Sequence, residues 1–338
     1  MPDAITMKKL PRLLITMGDV AGIGPEIIAK AWPKLLEVGS PTIVGDAGWL
    51  RWALDLIKSK REVSEVREPG EVEPDQDTIP CVSSDSSALR NISLGKVSAA
   101  AGKAAFDFLC EAIDYAMAGK TDAIVTCPIH KEGLRAAGLS YPGHTEILAE
   151  RTGTRRYAMV LYGNGLGVMH VTLHMALRDV FRHLTRDAVA EKIGLLNDLL
   201  PQLIDRIPRI GVAALNPHAG DGGLFGDEEA KFIEPAVVAA HEAGIDVTGP
   251  WPSDTLFVRA KAGEFDGVVA MFHDQGHIAL KLLGMGKLVN ITAGLPLVRT
   301  SVAHGTAYDI AGRGMADEQS LVEAARVAAR LASQRNMQ

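Results

Sequence analysis

Six short apolar runs recur along the chain, in "RLLITMGD", "PTIVGD", "TDAIVTCPI", "GLGVMHVTLH", "RIGVAALNPH" and "FDGVVAMFHDQ". None alternates apolar with polar residues, so none reads as a strand with one face in water. Between them lie stretches with apolar residues at helical spacing. These are "GIGPEIIAKAW", with Pro25 near its first turn, "GKVSAAAGKAAFDFLCEAIDYAMAGK", "RDAVAEKIGLLNDLLPQL" and "GDEEAKFIEPAVVAAHEAG". Strands covered on both faces and separated by helices predict an α/β fold on a mostly parallel sheet. A chain of 338 residues has room for about two domains. Residues 61–90, the most polar stretch, read as surface loops and edge elements.

Composition narrows the function. The net charge is −6 and there is no long basic block, which argues against nucleic acid as a partner. Cys81, Cys110 and Cys127 are widely spaced, with no C-x-x-C pair, so reduced thiols in a cytoplasmic protein are expected. Lys8 and Lys9 precede an apolar run, "LLIT", too short for a signal peptide. No stretch approaches the roughly 18–20 apolar residues of a membrane span.

Of the ten histidines, His174, His218 and His273 each fall at or just past the C-terminal end of a predicted strand. In open parallel sheets ligands bind at that edge. Three imidazoles around one ion, with a fourth position open, is a catalytic zinc arrangement, and imidazole also suits cobalt, nickel and iron. Each of the three also has a plainer reading as a hydrogen-bonded or surface side chain. His170 and His174 fall in one predicted strand, where residues four apart lie about 13 Å from each other, so they are not expected to chelate. His130, His183 and His241 read as surface residues.

Other polar residues gather near element ends. His144 and Thr145 precede a predicted helix, where Thr145 serves as the N-cap or the helix start binds an anion. Asn290 and Arg299 flank a turn-rich stretch, and an arginine fork matches phosphate or carboxylate. "GDVAGIGPE" fits neither a dinucleotide fingerprint nor a P-loop and reads locally as a tight turn. "VAHGTAYDIAGRG", residues 302–314, reads locally as a structural loop.

Taken together, "GDVAGIGPEI", "YPGHTE", "VTLHMALRDV", "ALNPHAGDGGLFGDEE", "GPWPSDTLF", "VVAMFHDQGHIALK" and "VNITAGLPLVRTSVAHGTAYDIAGRG" resemble the 4-hydroxythreonine-4-phosphate dehydrogenase family of vitamin B6 biosynthesis, nearly end to end. The resemblance implies that His174, His218 and His273 bind one divalent metal, zinc first, with magnesium, cobalt or manganese as alternatives. It implies substrate binding by His144, Thr145, Lys281, Asn290 and Arg299, with Lys281, Asp274 and His144 as candidates for proton transfer. It also implies a homodimer in which both subunits contribute ligands to each metal.

"HGTAYDIAGRG" further resembles the cofactor loop of isopropylmalate and isocitrate dehydrogenases, and "GDVAGIGPE" their "GDGIGPE" segment. That likeness implies NAD against His304, Gly305, Asp309 and Gly312. It also implies two α/β/α domains with mostly parallel sheets and a cleft between them: residues 1–142 plus 300–338, and residues 143–299. The implied reaction oxidises the C3 hydroxyl of a 4-phosphorylated hydroxy acid, and the 3-keto acid formed decarboxylates.

Two departures bear on the substrate. The chain reads "TMGDVAGIG" where the biosynthetic enzymes read closer to "TPGEPAGIG", and it has His277 where an apolar residue or proline is expected. A branch of the family acting on D-threonate or D-erythronate 4-phosphate in sugar-acid catabolism fits the shared positions equally. Two other classes stay open: a non-redox metabolite-binding protein, and a metal-dependent hydrolase or lyase that needs no nicotinamide.

Overall fold

The computed structural model describes residues 10–83, 87–284 and 288–335, so Lys8 and Lys9 lie outside the described residues. The chain divides into two compact units, Met1–Gly153 with Pro296–Gln338, and Thr154–Leu295.

The first unit holds strands β1 (Arg12–Thr16), β2 (Ser40–Gly45), β3 (Glu62–Val66), β4 (Thr78–Ser83) and β5 (Ala123–Thr126). The late segment of the chain adds a further strand, Arg299–Val302, beside β5. The order is β3-β4-β2-β1-β5 and then that late strand, with every pairing parallel. Leu13, Leu14 and Ile15 are all buried, as a strand covered on both faces requires. The helices Gly24–Leu36, Ala99–Met117 and Gln319–Arg335 supply the cover. Asp46 starts another helix, Ala47–Leu56, by accepting a hydrogen bond from the Trp49 N–H at 2.6 Å. Within the polar 61–90 stretch β3 is the sheet's edge strand, as its composition predicts, whereas β4 lies between β3 and β2 with Ile79, Cys81 and Val82 buried. After β1 the chain turns at Gly18, whose φ is +71° and where a Cβ would collide with the Pro128 carbonyl.

The second unit holds β6 (Ala158–Gly163), β7 (Leu166–His170), β8 (Ile210–Ala213), β9 (Val247–Trp251), β10 (Gly267–Ala270) and β11 (Val289–Ala293), in the order β11-β6-β7-β10-β8-β9. The strand at Arg299–Val302 is therefore β12. β7, β10, β8 and β9 run parallel, whereas β6 is antiparallel to both β7 and β11. The fold is thus α/β with mostly parallel strands. The β6–β7 hairpin turns on Asn164 and Gly165, at φ 53° and 80°, the positive values that a two-residue hairpin loop needs.

Three expectations need correction. The strand predicted through His174 stops at His170, because the chain bends where the Thr172 N–H and hydroxyl both donate to the Met271 carbonyl. The stretch "GKLVNITAGLPLVRTS" is not mainly turn; it contains β11 and β12, separated at Gly294 (φ +88°). The helix predicted from "GDEEAKFIEPAVVAAHEAG" opens with a π-helical turn, Glu229–Ile233, before the α-helix Glu234–Glu242. Pro235 has no N–H to complete an ordinary turn there.

Candidate functional site

In the second unit, β10 delivers the chain into the helix His273–Gly284. His277 lies one turn after His273, and the two rings stack 3.8 Å apart at 9°. His170 ends β7 directly beside Ala270 of β10. Its Nε2 lies 3.2 Å from Nδ1 of His277. A Cβ on Gly276 would collide with that same Nε2, so only glycine lets the imidazole nest against the helix. The bend after β7 brings the exposed His174 ring to 5.7 Å from His273.

His170 and His277 are buried and His273 is half-buried. Burial, reinforced by the neighbouring imidazoles, lowers His170 to about 3 and His277 to about 4, so both are neutral at physiological pH. Nδ1 of His273 lies 2.7 Å from the Asp274 carboxylate, which directs Nε2 outward as a metal-binding nitrogen requires. Gln275 fixes the start of the helix. It accepts from the Met271 N–H and donates to Ser253 Oγ and to the Ala214 carbonyl just beyond β8. A cavity of about 500 Å³ opens here, lined by Leu173, His174, Met175, Leu177, His273 and Asp274. Lys281 is exposed in the helix's last turn, and Asn290 is half-buried on β11.

His218 does not join this group. It sits beyond β8 in a run of left-handed residues, with φ 53° at His218, 55° at Ala219 and 43° at Asp221, and its ring lies 6.4 Å from that of Phe225. The buried Glu229 shapes the loop by accepting from the Leu215 and Asn216 N–H groups and from the Asn216 amide. Among the described residues no three His, Cys, Asp or Glu side chains of one chain gather closely enough to hold a metal. His174 and His273 suit a metal as a donor pair, but a full set needs a donor beyond their immediate surroundings.

In the first unit, His144 and Thr145 open the helix His144–Arg151. Gly143, not Thr145, is the N-cap, and Thr145 lies within the first turn. His144 is half-buried, with its Nε2 sealed from solvent and lacking a hydrogen-bond partner. Burial, and after it the Arg299 charge, hold His144 well below the usual histidine value. Arg299 begins β12, is 3% exposed, and donates to Thr126 Oγ1 at 2.7 Å. Burial lowers even this guanidinium, to about 9, with Glu146 opposing the shift. A buried guanidinium, a neutral imidazole and a helix's first turn form a set of donors suited to an acidic group.

The 304–314 segment belongs to the same unit. His304, Gly305 and Asp309 are exposed, Gly312 has φ +76°, and a Cβ on Gly305 would meet nothing within 4 Å. The "GDVAGIGPE" turn supports this segment: the Ile23 N–H donates to the Thr306 carbonyl, and the Tyr308 hydroxyl donates to the fully buried Asp19. Burial pushes the Asp19 carboxyl up, against the opposing bonds from Tyr308 and the Ala21 N–H. His130, expected at the surface, instead stacks on Tyr308 at 4.5 Å and 9°. His183 and His241 are exposed as expected.

Sequence reasoning therefore missed Asp19, His130, His170 and Gln275 as members of these groups. His277 carried a signal, its spacing of four from His273, whereas His170 carried none beyond its place at the end of a strand.

The model of the family described as "Pyridoxal phosphate biosynthetic protein PdxA" matches residues 37–328. A 4-hydroxythreonine-4-phosphate dehydrogenase of Beijerinckia indica is 48% identical over 322 residues, 94% of each chain. A D-threonate 4-phosphate dehydrogenase of Cupriavidus necator is 46% identical, over 96% of this chain and 98% of its own. The crystal structure of 4-hydroxythreonine-4-phosphate dehydrogenase from Klebsiella pneumoniae superposes with a TM-score of 0.84 at 44% identity, covering 95% of this chain and 99% of that one. A match across most of the chain, carried on the same fold, makes this protein a member of the PdxA family, whose named relatives are dehydrogenases.

Proposed function

We propose that the protein oxidises the C3 hydroxyl of 4-hydroxy-L-threonine 4-phosphate with NAD⁺ and a divalent metal, giving a 3-keto acid that loses its carboxylate as CO₂. The observation that carries this reading is the meeting of His174 and His273 at the mouth of one cavity, with His273 oriented by Asp274.

His174, His273 and His218 are the proposed metal ligands. The separation of His218 from the other two within one chain supports a homodimer in which it serves the partner's pair. Zinc suits three imidazoles, with cobalt, manganese or magnesium as alternatives. When bound, the metal lowers the pKa of the substrate hydroxyl and polarises the ketone that follows.

Arg299, Lys281 and the first turn at His144 and Thr145 hold the phosphate and carboxylate, and Asn290 hydrogen-bonds a substrate polar group. The hydroxyl proton passes to one of His144, Asp274 or Lys281. Burial keeps His144 neutral, while the same burial and the Arg299 charge oppose its taking up a proton. His304, Gly305, Asp309 and Gly312 would hold the dinucleotide, which would supply the acceptor for the C3 hydride. The free thiols at Cys81, Cys110 and Cys127 support a cytoplasmic enzyme. Among the described residues no helix is long and apolar enough to cross a membrane.

Absorbance at 340 nm with NAD⁺, zinc and 4-hydroxy-L-threonine 4-phosphate tests the reading. NADH should form, and His174→Ala, His218→Ala and His273→Ala should each abolish most turnover. Turnover that needs no nicotinamide would instead indicate a hydrolase or lyase, and binding without turnover a metabolite-binding protein. D-threonate 4-phosphate is the second substrate to assay. It is supported by the Cupriavidus necator relative and by the buried His277 where an apolar residue is expected.

A further inference from the structure

The 304–314 segment has no helix or strand of its own, yet its middle is strained. Ala307 stands at φ 45°, a left-handed conformation that persists in a non-glycine residue only where the surroundings fix it. The fixing comes from residues 18–23. The Ile23 N–H donates to the Thr306 carbonyl at 3.0 Å, and the Gly95 N–H donates to the Ala21 carbonyl at 2.8 Å. Beside them Asp19, fully buried, accepts from the Tyr308 hydroxyl at 2.8 Å through Oδ2 and from the Ala21 N–H at 2.9 Å through Oδ1. The Tyr308 ring is held flat on His130, whose Nδ1 is buried with no hydrogen-bond partner.

A carboxylate is an expensive way to fill a dry turn, since burial disfavours it and two donors leave part of its accepting capacity unmet. An apolar side chain would pack there without that penalty. What the carboxylate adds is a directional grip on one hydroxyl, one residue beyond the strained Ala307 and one before Asp309.

We propose that Asp19 is a positioning residue for the cofactor loop: through the Tyr308 hydroxyl it holds residues 304–309 in the shape that receives the dinucleotide. The proposal rests on the reading of 304–314 as the NAD-binding segment. Asp19 touches neither cofactor nor substrate in this scheme. It lowers the ordering that NAD⁺ must impose on the loop when it binds.

The test uses the full chain with Tyr308→Phe, Asp19→Asn and the double variant. Tyr308→Phe keeps the ring on His130 and removes only the donor, so it decides the matter should Asp19→Asn fold poorly. Amide hydrogen exchange over residues 305–313 reports the grip without any ligand. Calorimetry with NAD⁺ reports its consequence, and calorimetry with inorganic phosphate, a probe of Arg299 and His144, serves as the control.

Tyr308→Phe should speed exchange in the loop and weaken NAD⁺ binding about tenfold, the scale of one hydrogen bond to a charged group, and Asp19→Asn, whose amide still meets the Tyr308 hydroxyl, should do the same to a smaller extent. Phosphate binding should stay within about twofold, which general loosening of the fold would not allow. The double variant should be no weaker than Tyr308→Phe, because both changes act on the one contact between residues 19 and 308. Unchanged exchange in Tyr308→Phe overturns the grip itself. Faster exchange with unchanged NAD⁺ affinity leaves the grip but removes the cofactor reading, and the proposal falls with it.

Discussion

Asp266 accepts five hydrogen bonds, all from Arg206 and Arg209. Arg206 donates to both carboxylate oxygens at 2.8 and 2.5 Å, and Arg209 adds its backbone N–H at 3.0 Å and its guanidinium at 3.2 and 3.3 Å. Burial acts to raise this carboxyl, but the bonds from Arg209 and Arg206 outweigh it and hold the group below the usual value. A folded-state pKa below the unfolded one gives stability that is complete above about pH 4 and lost as pH falls through the folded value. Asp266→Asn should therefore cost about 2 kcal/mol at pH 7 and flatten the acid limb of the stability curve. Urea midpoints measured from pH 3 to 7 will show it, and an unaltered acid limb would refute the assignment. Such pairings were invisible in the sequence because their members stand 57 and 60 residues apart. The same holds for His170, which meets His277 across 107 residues. By contrast His273, Lys281 and Asn290 could be selected, because each sits in a motif whose neighbours carry the resemblance.

Strand identity was legible where the apolar run was continuous, as in β1, β5 and β10, because a two-sided cover leaves no room for polar alternation. It failed at β6, whose hairpin signal, Asn164–Gly165, was present but unread, and at the end of β7. There the apolar character continues through "VTL" while Thr172 turns its hydroxyl onto the Met271 carbonyl. That side-chain bond, which no periodicity reveals, moves His174 out of the strand and onto the cavity. The start of Gly24–Leu36 was legible through Pro25, whereas the helix Ala47–Leu56 went unread although its cap stands in the sequence. Asp46, 5% exposed, holds the first turn of Ala47–Leu56, so Asp46→Ala should lower stability by about 1–2 kcal/mol, read as a fall in Tm. A change within error would show that the packing of Leu50 and Leu54 alone holds that helix.

At the scale of the whole molecule, the donors separate into a pair and a singleton. His174 and His273 stand together, whereas His218 stands on its own loop. If His218 of one protomer completes the pair of another, mixing inactive His174→Ala chains with inactive His218→Ala chains should restore activity. Each mixed dimer would then have one intact site. Mixing His174→Ala with His273→Ala should restore nothing, since those changes fall on the same pair. Recovery in the second mixture but not the first would mean that the two neighbours serve different ions.

The nesting of His170 against Gly276 bears on how this family can drift. Three positions are coupled: a methyl at 276 would collide with the His170 Nε2 and would meet the Val168 Cγ1 at 2.7 Å. Gly276→Ala should therefore disable the protein, and His170→Ala alone should not rescue it, because the Val168 contact remains. Alanine favours helix over glycine by about 1 kcal/mol, so a lineage is free to strengthen this helix only after both neighbours have shrunk. The glycine is the last of the three to change, which makes the trio a ratchet that sets the order of substitution.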